Sequence, residues 1–138
     1  MDCLGQCRRR SKVLQLQPHL HTIARMESER NRLLVASCYM AHDRTAPPEE
    51  LRSMVEASPN DQQLIVGADA NAHHCVWGSP DINDRGESLL NFSLSTNLCI
   101  ANVGEVHTFV GPTSSNVLDL TLVRDKVLWF QKGESLRL

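Results

Sequence analysis

The strongest constraint on the fold is a succession of short apolar runs separated by stretches with helical spacing. Arg32-Leu33-Leu34-Val35-Ala36-Ser37-Cys38-Tyr39-Met40 fits a strand buried on both faces. A loop over His42 to Thr45 follows, and Pro47-Pro48 opens a helix. Proline suits the first helical turn, Glu49 and Glu50 suit the positive end of the dipole, and Leu51, Met54 and Val55 recur at helical spacing. Ser58-Pro59-Asn60-Asp61 stops that helix, and Leu64-Ile65-Val66 forms the next strand, ending at Gly67. After a polar stretch from Asp69 to Asn83, Asp84 and Glu87 have the spacing of a capping box, and Leu89, Leu90 and Leu94 supply a stripe. This predicts a helix over Arg85 to Ser95. Leu98-Cys99-Ile100-Ala101 reads as a strand, Thr108-Phe109-Val110 as a short one, Gly111 to Asn116 as turn chemistry, and Val117 to Val123 as a further strand. The order strand, helix, strand, helix, strand, hairpin is an α/β pattern.

Ahead of this core, residues 1–12 are polar and basic and are expected to form a disordered tail, with a single domain over 13–138. Val13 to Met26 has no clean period. Fourteen Lys and Arg against sixteen Asp and Glu exclude a polybasic protein that coats DNA, but leave room for a nuclease with a local basic patch. Aromatic residues make up 4%, too few for platforms that stack single-stranded bases. No run approaches the ~20 apolar residues of a membrane span. The first ten residues lack the apolar stretch of a secretory signal, and Asp2 excludes N-myristoylation. The expectation is an intracellular chain, cytoplasmic or nuclear and not secreted, with its five cysteines reduced.

The chemistry concentrates at Gly67-Ala68-Asp69-Ala70-Asn71, where an apolar strand runs into an acid and an amide two residues apart. In extended backbone such residues project to one side, and the end of a buried strand is a common place for a ligand cleft. An ionised Asp there accepts a proton or holds a metal, while Asn offers a donor to a phosphate oxygen. Turns use the same residues, so the tripeptide alone is ambiguous. Asp119 lies in an otherwise apolar strand, sharing a face with Val117 and Thr121 while Leu118, Leu120 and Leu122 take the other. It belongs either to a polar site or to an exposed edge. His73-His74-Cys75 are adjacent and so poorly placed to converge on zinc. Trp77 reads as a packing anchor for its loop.

Taken together, the string Gly67-x-Asp69-x-Asn71-Ala72-His73-His74, Trp77-Gly78, Asp84-Arg85-Gly86 with Leu89-Leu90, Asn102, Thr108-Phe109-Val110 and Leu118-Asp119-Leu120-Thr121-Leu122-Val123 resembles a known family. It is the endonuclease/exonuclease/phosphatase family, in the form that non-LTR retrotransposons carry beside their reverse transcriptase. Val35 to Met40 resembles the family strand that ends in a tyrosine, and the resemblance covers about residues 33–125. It implies a partial four-layer α/β sandwich, two mixed sheets flanked by helices, that hydrolyses a phosphodiester of DNA with magnesium. By this resemblance Asp69 positions and deprotonates the attacking water and contributes to the metal site, Asn71 and Tyr39 hold the phosphate, and Asp119 joins the site from its strand.

The chain departs from the family pattern in three places. The Gln-Glu pair that supplies the principal metal ligand has its nearest echo in Leu16-Gln17-Pro18-His19-Leu20, which contains no acid, and Glu27 and Glu29 match no motif. The C-terminal Asp-His pair is missing, since the last histidine is His107. Ala70 stands where the family places a bulky aromatic. The expectation is weak or absent turnover by this chain. The alternative reading is a non-catalytic remnant that at most binds nucleic acid or a partner. No membrane and no small-molecule ligand are expected.

Overall fold

The computed structural model describes residues 10–14, 20–29, 31–102, 107–113 and 115–124. The strands are β1 (Arg10–Leu14), β2 (Leu20–Glu27), β3 (Arg32–Tyr39), β4 (Gln63–Asp69), β5 (Cys99–Ile100), β6 (Phe109–Val110), β7 (Ser115–Asn116) and β8 (Asp119–Arg124). Helix α1 (Glu49–Ala57) joins β3 to β4, and α2 (Asp84–Ser95) follows a single 3-10 turn at Cys75–Trp77. The main sheet has six strands in the order β1-β2-β3-β4-β8-β5, and β6 and β7 form a separate hairpin. β3 and β4 run parallel across the α1 connection, and the other pairs in the sheet are antiparallel. This is a mixed α/β fold. Of the segment expected to be a tail, residues 1–9 lie outside the described residues, whereas Arg10–Lys12 begin β1 and pair with Glu27, Met26 and Arg25.

Burial alternates along β3 and β4 because, among the described residues, both helices pack on one face of the sheet. Leu34, Ala36 and Cys38 of β3, Leu64, Val66 and Ala68 of β4, and Leu120 and Leu122 of β8 form one cluster with Leu51 and Val55 of α1 and Leu89 and Phe92 of α2. Between them, Leu33 and Val35 are half-buried and Ser37, Tyr39 and Ile65 are exposed. The β3 run, expected to be buried on both faces, is therefore buried on one. Its sequence is apolar on both sides, but the two helices share a single face.

The helix ends are held by backbone and polar contacts the periodicity does not encode. Pro48 caps α1 without a side-chain hydrogen bond. For α2 the cap is Asn83, not Asp84. Its Oδ1 accepts from the Gly86 N–H at 2.8 Å and from the His73 N–H at 3.0 Å, and its own N–H donates to the His73 carbonyl at 3.1 Å. One amide thus satisfies a free helical donor and fastens the preceding loop to the helix. Trp77, buried as its sequence context implied, anchors the same loop through Nε1, which donates to the Ala72 carbonyl at 3.2 Å.

At the opposite end, Arg124 closes β8 on the helix-bearing face, and it is 6% exposed. Its guanidinium donates to the carbonyls of Thr96 (2.9 Å), Pro59 (3.3 Å), Ser58 (3.4 Å) and Val55 (3.5 Å). Those carbonyls end α1 and α2, where the helix dipoles favour a cation. Burial lowers the Arg124 pKa from its ordinary value.

Candidate functional site

Three of the residues singled out by sequence meet at one end of the sheet. Tyr39 is the last residue of β3, Asp69 the last of β4 and Asp119 the first of β8. Tyr39 pairs with Asp69 in the parallel ladder, and Asp69 pairs with Asp119 in the antiparallel one. They therefore form a row across three strands on the face away from the two helices. Directly opposed residues of this kind have Cα atoms about 5 Å apart, close enough for their side chains to interact.

The next row is Ser37, Gly67 and Thr121, all small. A Cβ added at Gly67 would meet nothing within 4 Å. The two rows enclose a shallow depression of about 430 Å³, lined by Ser37, Tyr39, Asp69, Asp119 and Thr121 around Gly67.

Electrostatically the depression is a carboxylate pair. Asp69 has its carboxyl raised above the ordinary value, first by burial and then by the Asp119 charge, with a hydrogen bond from the Asn71 backbone N–H working the other way. Its Oδ1 is buried and has no hydrogen-bond partner. A buried carboxylate oxygen without a donor is costly unless something positive or protonated meets it.

Asn71 does not share the Asp69 face by strand alternation, because β4 ends at Asp69. Asn71 adopts a left-handed bend with φ 44°. Its side-chain Nδ2 donates to the Met40 carbonyl at 3.1 Å, linking the exits of β3 and β4. The adjacent histidines have separate partners: His73 Nδ1 lies 2.9 Å from Asp81, and His74 Nε2 lies 3.4 Å from Glu87. His74 Nδ1 accepts from the Val76 N–H at 3.1 Å. Among the described residues no three His, Cys, Asp or Glu converge as a metal cluster. Glu27 stands opposite Arg32, at the end of β2–β3 away from Tyr39, and of the nearest echo of the Gln-Glu pair, Leu16 to Leu20, residues 16–19 lie outside the described residues.

Sequence reasoning about individual residues missed what holds this row in place. Asn102 mimics a neighbouring strand: its Nδ2 donates to the Asp119 carbonyl and its Oδ1 accepts from the Thr121 N–H, both at 2.8 Å. Thr108 Oγ1 accepts from the N–H groups of Leu118 (2.9 Å) and Asp119 (3.0 Å). Arg85 in the first turn of α2 grips the carbonyls of Asn71 (3.0 Å), Ala70 (3.0 Å), Met40 (3.2 Å) and Arg44. Their one sequence signal was membership of the string that carries the family resemblance.

Comparison with known proteins agrees with this architecture. Among solved structures, the endonuclease domain of TRAS1, a telomere-specific non-LTR retrotransposon, is similar with a TM-score of 0.69 at 24% identity, over 86% of this chain and 57% of that one. The chain thus spans little more than half of that domain's length. An endonuclease/exonuclease/phosphatase family protein from Leptotrichia buccalis C-1013-b aligns with a TM-score of 0.44 at 13% identity, over 76% of this chain and 42% of that one. Truncated Caenorhabditis elegans TDP2 gives 0.45 at 9%, over 85% and 53%. No curated protein matches the sequence. The family model described as endonuclease-reverse transcriptase matches residues 33–134, a stretch that contains α1, α2 and all three residues of the Tyr39–Asp69–Asp119 row. The chain belongs to the endonuclease-reverse transcriptase family.

Proposed function

We propose that the Tyr39–Asp69–Asp119 row binds a divalent cation and a phosphodiester of DNA, and that this chain by itself hydrolyses it weakly or not at all. The observation that carries the reading is the buried, partnerless Asp69 Oδ1 on a residue that pairs directly with Asp119 across the sheet. Two opposed carboxylates repel unless a proton or a cation lies between them. The donor set fits magnesium, which takes hard oxygen ligands and keeps several waters, so one or two carboxylates suffice. Asp69 and Asp119 would hold it, and the bound ion would supply charge stabilisation at the phosphate and the leaving oxygen.

The chain's own residues would do the rest. Asp69, whose carboxyl already holds a proton more tightly than usual, orients water and takes its proton. Tyr39, 39% exposed at the rim, and Asn71, beyond the end of β4, flank the phosphate. The reading of low turnover is supported by the position of Glu27 at the far end of its strand and by the lack, among the described residues, of a third acid beside the pair. One missing preorganised group lowers turnover by roughly 10²- to 10³-fold. Action on DNA would place the chain inside the cell. No helix among the described residues is long and apolar enough to cross a membrane.

Two assays test this. A short duplex oligonucleotide should bind in calcium, which replaces magnesium without supporting turnover, and binding should fall in Asp119→Ala; no cation-dependent binding would sink the site. Supercoiled plasmid in magnesium should stay intact or be nicked only slowly, and rapid nicking that disappears in Asp69→Ala would overturn the claim of weak or absent turnover.

A further inference from the structure

We propose that Arg85 is the positioning residue of this site: its guanidinium locks Asn71 in the left-handed bend and sets the distance between the exits of β3 and β4. The proposal rests on the phosphodiester reading above. Asn71 has φ 44°, in the left-handed region, which asparagine tolerates better than other side chains but which the free chain does not hold by itself. The enforcing contacts are on both sides of the peptide. Arg85 Nε donates to the Asn71 carbonyl at 3.0 Å, and Nη2 donates to the Ala70 carbonyl at 3.0 Å and the Met40 carbonyl at 3.2 Å. The Met40 carbonyl also takes the Asn71 Nδ2 at 3.1 Å. Nη1 reaches the Arg44 carbonyl, further along the same exit from β3.

This geometry separates positioning from direct binding. Guanidinium has five N–H donors, and Arg85 directs four hydrogen bonds to carbonyls. That leaves little to offer a phosphate. What it contributes is shape: a planar fork rooted in the first turn of α2 spans two loops at once. Lysine keeps the charge but concentrates it at one point, so it cannot hold both loops. Arg85→Lys therefore keeps the field at the site and removes the clamp.

The test is a double-mutant cycle on the whole chain, read as calcium-dependent affinity for a short duplex oligonucleotide. Arg85→Lys should weaken binding about tenfold in the wild-type background and less than about twofold in the Asn71→Ala background, since coupled residues are non-additive. An equal loss in both backgrounds, or no loss in either, overturns the proposal. If the wild-type chain binds no DNA, the phosphodiester reading fails first, and this proposal falls with it. Should Arg85→Lys not fold, the wild-type chain still decides by NMR. The Arg85 Nε–H should exchange slowly and show coupling across its hydrogen bond to the Asn71 carbonyl carbon. Rapid exchange without that coupling overturns the clamp.

Discussion

Gly86→Ala should unfold this domain more readily although alanine is the better helix former. A Cβ at Gly86 would lie 1.8 Å from the His73 carbonyl oxygen and 2.6 Å from its carbon. To restore a 3.0 Å separation, the His73 carbonyl has to retreat by about 1.2 Å. That carbonyl accepts from the Asn83 N–H, while Asn83 Oδ1 accepts from the N–H groups of His73 and Gly86. All three bonds stretch together. At about 1 kcal/mol net each they amount to roughly 3 kcal/mol, against a gain of about 1 kcal/mol in helix propensity. The expected destabilisation is about 2 kcal/mol, or roughly 6–10 °C in Tm for a domain of this size. Urea denaturation of both proteins measures it directly. A variant within about 0.5 kcal/mol of wild type would refute the reasoning, because it would show the loop sliding off α2 without penalty.

The second glycine provides the contrast: Gly67→Ala meets open space in a strand and should stabilise by about 0.5 kcal/mol, and a loss above about 1 kcal/mol would contradict the open floor of the depression. The Asp69 carboxyl is raised above its ordinary 3.8, so the folded state holds that proton more tightly than the unfolded chain. Its favourable contribution is present below about pH 3.8 and is lost as pH rises through the raised value. Asp69→Asn, with chelator present, should therefore raise Tm at neutral pH and have progressively less effect in acid; a gain largest in acid would reverse the sign. Arg124→Met removes the cation from the ends of two helices and leaves buried carbonyls without donors. It should cost about 3 kcal/mol in chemical denaturation, with Arg124→Lys recovering only part.

Much of the architecture was legible locally. Pro47-Pro48 followed by Glu49 and Glu50 placed α1, and the alternation placed Asp119 and Thr121 opposite Leu120 and Leu122, although Val117, expected on the Asp119 side, lies ahead of β8 and is buried. The reading of β3 as doubly buried failed because composition records how apolar a strand is, not how many layers cover it. The cap of α2 was misplaced by one residue. Asp84 and Glu87 had the right spacing, but the capping oxygen is chosen by which side chain can also reach the His73 N–H.

The amino-acid order alone placed the central strands β3, β4 and β8 and both helices, since those follow periods of two and 3.6 along the chain, but it did not show β1, β2 or β7, whose segments carry no such period. It also carried the recurring string around Asp69 and Asp119. Only the tertiary structure decided that these two acids, fifty residues apart, stand directly opposite each other, because that register comes from long-range strand pairing. The bend at Asn71 and the two arginine clamps, Arg85 at one end of the sheet and Arg124 at the other, were decided there too. A guanidinium seeks backbone carbonyls, and no side-chain pattern in the sequence says which ones folding will bring within its reach.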